Sequence, residues 1–199
     1  MSLDRVVASV DHLAVTGSDV AKEYRLETFL SRGHVPVGPP GLADFDRAES
    51  RLIDQKLLEK QLNLYPANSK LIHDKAEEQL AQIKKKLDTD ADFQTSLHAL
   101  GISEAQLLKR LEEQQRIMSM IDEHLRPGAT VTTQEVETYY QKTFLPQFKR
   151  QSEGAPPALR EVEGRIREIL VQEKINQLFE HWLAELKKDA QVRIILPHE

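Results

Sequence analysis

The last third of the chain holds its most constraining feature. From Leu159 to Lys188, Val162, Ile166, Ile169, Leu170, Ile175, Leu178, Phe179, Trp182, Leu183 and Leu186 recur at helical spacing with no proline to interrupt them. A helix of thirty residues is about 45 Å long, wider than a compact domain of this size. It has to bridge substructures or pack on several other elements in turn, so the expected molecule is extended or cradle-like. Only after this helix does the period change, to Gln191-Val192-Arg193-Ile194-Ile195-Leu196, a strand pattern.

That strand needs a partner, and the chain offers one at its other end. Val6 to Val10 and Leu13 to Thr16 are short β-branched runs, and Asp11-His12 is a two-residue connection between them. The two chain ends are therefore expected to meet in one small sheet. Between them the pattern is helical. Ser18 is the expected cap of the first helix, which should end near Gly33. Val35-Pro36-Val37-Gly38-Pro39-Pro40-Gly41 cannot be helical, because its prolines fix φ and remove donors.

From Asp44 onward, Leu52, Ile53, Leu57 and Leu58 form a broad stripe. Asn68 or Ser69 opens the next helix, with Leu71, Ile72, Leu80, Ile83 and Leu87 along it. Asp90 caps a shorter helix that Gly101 closes, and Ser103 opens a long one stopped by Pro127-Gly128. Thr132 and Glu135 have capping-box spacing, before a helix carrying Tyr139, Tyr140, Phe144 and Phe148 that Pro146 should kink or end. Gln151 to Pro157 reads as a linker. The expected fold class is mainly α, a multi-helix module with a long C-terminal helix and a small sheet made by the N-terminal hairpin and the C-terminal strand.

Composition excludes several classes. With 9 prolines and 8 glycines in 199 residues, breakers are scarcer than the roughly 12% average, which disfavours sandwiches and barrels. There are 27 Lys and Arg against 32 Asp and Glu, a net charge of −5, so nucleic acid is not an expected partner. No apolar run approaches the roughly 18 residues needed to span a bilayer, so membrane insertion is not expected. The chain has no cysteine, which removes thiol catalysis, disulfides and zinc ribbons. Met1-Ser2-Leu3 followed by Val6, Val7 and Ala8 has neither the basic leader nor the cleavage site of a secretory signal.

Catalytic patterns do not emerge. None of the 7 histidines stands at i, i+4 from another or in HExxH, and no phosphate loop or nucleophile elbow is present. No enzyme, metal or cofactor is expected. What remains is apolar surface. Met118, Met120, Tyr139, Tyr140, Phe144 and Phe148, with Val35 and Val37 in the Pro-Gly loop, are the candidates for gripping another chain, since methionines and aromatics adapt to varied partners. Ile117 to Ile121 is apolar nearly all round, more than one core face requires.

Several strings carry a family resemblance. VVASVDHLAVTGSDV resembles the opening of the SurA-type periplasmic chaperones, and RLIDQKLLEKQL, ISEAQLLKRLEEQQRI and VTTQEVETYYQKTF resemble the helices that follow it. LREVEGRIREILVQEKINQLFEHWLAELKKDAQVRIIL is similar to the long helix and closing strand of that module. The resemblance covers most of residues 4 to 196, and it implies one chaperone domain over 1–199, of the kind shared with the foldase lipoprotein PrsA and related to part of trigger factor. Segments 4–150 and 157–196 would be joined where the family usually inserts a parvulin prolyl-isomerase domain. Pro146 to Pro157 is far shorter than the roughly 90 residues a domain of that size needs.

The resemblance implies an ATP-independent holdase in the periplasm or another extracytoplasmic compartment. Its partners would be unfolded or nascent envelope and outer-membrane proteins, bound as extended, aromatic-rich segments in an apolar groove. The other expectation is a non-catalytic adaptor or self-associating structural protein built on the same module. A homodimer formed by exchange of terminal elements would need little rearrangement.

Overall fold

A computed structural model of the chain describes residues 4–65, 68–87, 89–151 and 154–195. The described chain is mainly helical, with one three-stranded antiparallel sheet. Its contacts divide it into two compact units: the described residues of 1–120 with 185–199, and residues 121–184. The divisions fall inside two long helices and not at the 151–157 linker, of which residues 152 and 153 lie outside the described residues.

In the first unit, β1 (Val6–Val10) and β2 (Leu13–Thr16) form the expected hairpin, with Val10 opposite Leu13. Asp11 takes φ of 51°, the left-handed region that aspartate tolerates better than most side chains. The closing strand β3 (Val192–Ile194) pairs with β1 directly, Ala8 against Ile194 and Val10 against Val192, giving the order β2-β1-β3. The Ile195 amide extends the ladder by donating to the Val7 carbonyl at 2.8 Å. A register shift between Val6 and Ala8 lets both Val7 and Ala8 turn inward.

α1 (Gly17–Arg32) begins two residues earlier than a cap at Ser18 would place it. Thr16 is the cap, in a reciprocal box with Asp19, while the Ser18 hydroxyl and amide turn to Asp4. Gly33, at φ of 77°, ends the helix. α2 (Leu42–Gln61) lies against α1 and both hairpin strands. α3 (Ser69–Lys85) is capped by Asn68, and α4 (Asp90–Leu100) by Thr89, with Asp90 its first residue. α5 (Glu104–Leu125) opens with Ser103 and Gln106 capping each other.

The core of this unit joins Phe29 of α1, Ala76, Leu80 and Ile83 of α3, Phe93 and Leu97 of α4, and Leu107 and Leu111 of α5. Fully burying side chains of this size contributes roughly 1.5–3 kcal/mol each. At its margin, Arg110 is held by Glu23 at 2.9 Å and also bonds Gln55, which ties α5 to α1 and α2.

The second unit contains α6 (Thr133–Tyr139), α7 (Leu145–Gln151) and most of α8 (Leu159–Asp189). Two apolar clusters hold it: Leu125, Ala129 and Ile175, and Val136, Tyr140 and Ile166. An ideal Cβ on Gly128 would lie 3.4 Å from the Leu178 side chain, an ordinary van der Waals contact with this packing. Three cations tie residues 126–131 to their surroundings. Arg126 pairs with Asp122 and Glu168, Arg167 donates to the Val131 carbonyl at 2.7 Å, and Lys174 bonds the Thr130 carbonyl.

Candidate functional site

α6 starts as its spacing predicts. Glu135 donates its amide to the Thr132 hydroxyl at 3.3 Å, and the Thr132 amide donates to the Glu135 carboxylate at 2.8 Å. Lys174 lies 2.7 Å from the same carboxylate. That cation, with the two Thr132 donors, holds the Glu135 carboxyl down to about 2.

Pro146 does not end the helix, one of the two outcomes expected of it. The helix widens into a π-turn over Tyr140–Phe144, in which the Leu145 amide reaches the Tyr140 carbonyl, and then continues as α7. The widening has a local cause. A proline ring within an α-helix collides with the carbonyl four residues earlier, here that of Lys142, and supplies no amide. Opening the preceding turn removes the collision without ending the helix.

The turn sets three rings in a row. Tyr140 and Phe144 stack with centroids 5.5 Å apart and planes 16° apart, and Phe148 follows Phe144 at 6.1 Å. One end of the row is anchored: Tyr140 is 9% exposed and donates its hydroxyl to the Pro157 carbonyl at 2.7 Å. Phe144 and Phe148 are half-buried, so the row opens toward solvent as it leaves the core. On the flank of α6, a cleft of about 470 Å³ is lined by Glu135, Thr138, Tyr139, Lys142, Thr143 and Leu170. The arrangement is an aromatic strip beside polar side chains, suited to stacking and hydrogen bonding.

The structure thus brings together Tyr139, Tyr140, Phe144 and Phe148. The other four candidates lie in the first unit and differ among themselves. Met118 is 64% exposed and Val37 fully so, whereas Met120 is 2% exposed and Val35 packs on the core around Phe29. Met120 and Tyr140 are therefore packing residues and present no open surface. Residues that sequence reasoning left out include Thr138, Lys142 and Leu170 of the cleft, and the exposed Leu42, Leu64 and Ile194. Thr138 and Lys142 stand at i, i+4, a spacing that marks them as one face once Tyr139 is singled out.

Among the described residues no group of three histidine, aspartate or glutamate side chains converges as a metal site. Among the described residues, no helix is long and apolar enough to cross a membrane. No protein-family model matches the chain, and no curated protein matches it significantly.

Proposed function

We propose that the protein is an ATP-independent, holdase-type chaperone for unfolded or nascent envelope proteins, acting in the periplasm, with no catalytic step. The observation that carries this reading is the half-open row Tyr140–Phe144–Phe148 beside a cleft of mixed lining. Apolar rings rimmed by hydroxyl and ammonium groups give contact area without a fixed shape requirement, which suits clients that differ in sequence. Rings need little conformational ordering for the area they offer. The order of elements, hairpin to closing strand, also agrees with the resemblance that suggested the function.

Site-specific photocrosslinking tests it. A photoreactive phenylalanine analogue at position 148 should crosslink to an outer-membrane β-barrel protein diluted from urea, and not to the same protein already folded. Equal crosslinking from position 94, on α4 of the first unit, would mean that contact is nonspecific.

The adaptor reading has one observation in its favour. Ile194 lies on the same sheet face as the buried Ala8 and Val15, yet is 66% exposed on the edge strand β3. An edge of this kind can pair with a fixed partner.

A further inference from the structure

His73 sits on the second turn of α3 with a carboxylate at each ring nitrogen. Nδ1 lies 2.6 Å from Glu112 of α5, and Nε2 lies 3.4 Å from Glu77 of α3. A neutral imidazole has one N–H, so one of its nitrogens would turn a lone pair toward a carboxylate oxygen. Only the imidazolium can serve both. The charges acting on the ring are Glu112 from α5 and Glu77 and Asp74 from α3, all acidic. The same groups, the Glu112 hydrogen bond foremost, raise the His73 pKa above its ordinary 6.5.

The position of this contact gives it leverage. α3 and α5 are tied elsewhere by Gln115 to Gln79 and Lys84 to Glu104, and by packing of Ala76, Leu80 and Ile83 on Leu107 and Leu111. Toward its N-terminus α3 has little else. Leu71 is 49% exposed, Ile72 is the one buried side chain in the first turn, and Asn68 caps within its own segment. We propose that His73 is a proton-operated latch, tying the N-terminal turns of α3 to α5 when the ring is charged and freeing them when it is neutral.

The sign follows from linkage. A raised value in the folded protein means that the tie is complete below the ordinary histidine range and is lost as pH rises through the folded value. Because His73 and Glu77 are half exposed, the effect is that of a surface ion pair. It corresponds to about a two- to fivefold change in a local opening equilibrium.

The test is amide hydrogen exchange on the full chain at pH 6 and pH 8.5, each rate divided by the intrinsic rate at that pH. Alongside it, an NMR titration follows the His73 ring. Protection of the amides from 71 to 76 should fall about two- to fivefold at the higher pH in the native protein. His73→Lys should stay protected at both, and His73→Gln should be equally open at both. Native protection unchanged between the two pH values, or the same fall in His73→Gln, would overturn the proposal. So would a ring that titrates at or below the ordinary histidine value.

Discussion

Asp11 and Gln191 clasp each other across 180 residues of sequence: the Asp11 amide donates to the Gln191 carbonyl at 3.1 Å, and the Gln191 amide returns a 2.9 Å bond to the Asp11 carboxylate. The clasp joins the tip of the hairpin to the start of β3, and Lys60 of α2 pairs with the same carboxylate. A three-residue strand survives only as part of a larger sheet. Here the sheet draws both chain ends into one element.

Deleting residues 190–199 should therefore lower the stability of the first unit by about 2–4 kcal/mol in urea unfolding. An unchanged curve would show that β3 contributes nothing. Single substitutions divide the contribution of Asp11. Asp11→Gly keeps access to the positive φ and loses the side-chain clasp. Asp11→Ala loses both, so it should be the less stable of the two by about 1 kcal/mol.

The Pro-Gly segment is the expected first site of proteolysis. Val37 projects fully into solvent, and Gly33 and Gly38 take φ of 77° and 89° outside any regular ladder. A low-specificity protease at limiting dose should cut within residues 33–41 and leave α1 and α2 intact. First cuts inside either helix would contradict this.

Acid should weaken the second unit through Glu135. Its carboxyl is held at about 2, below its ordinary 4.5. The stabilisation is present above the ordinary value and is lost as pH falls from there toward 2. Glu135→Gln should lower the urea midpoint at neutral pH, and the gap from the native protein should close across that window. A gap that stays constant down to pH 2 would place its origin elsewhere. Asp4, lowered chiefly by its bond from the Ser18 hydroxyl, acts with the same sign in the first unit.

Much of the fold was legible because its signals are local. The Thr132–Glu135 box, the closing glycines at 33 and 101 and the two-residue hairpin turn each depend on a few adjacent residues. Ser18 was misread as a cap because its partner, Asp4, lies fourteen residues earlier. Pro146, expected to kink or end its helix, does not end it, because a π-turn earlier in the chain accommodates the ring. The site was harder to read. Met118 and Met120 stand in a run that is apolar nearly all round, so periodicity could not say which of them faces inward. Tyr140 is fixed by the Pro157 carbonyl, across a linker without periodicity.

The most direct measurement is suppression of aggregation. An unfolded outer-membrane β-barrel protein is diluted from urea without nucleotide, and light scattering is followed with native protein or with Phe148→Ser. Phe148 is the outer, half-buried ring of the row, and thermal unfolding of the variant checks that its fold is retained. The native protein should suppress scattering in a concentration-dependent way, and Phe148→Ser should need several times more protein for the same effect. Scattering unaffected by the native protein, or suppressed equally by a well-folded Phe148→Ser, would contradict a chaperone whose clients are held at this row.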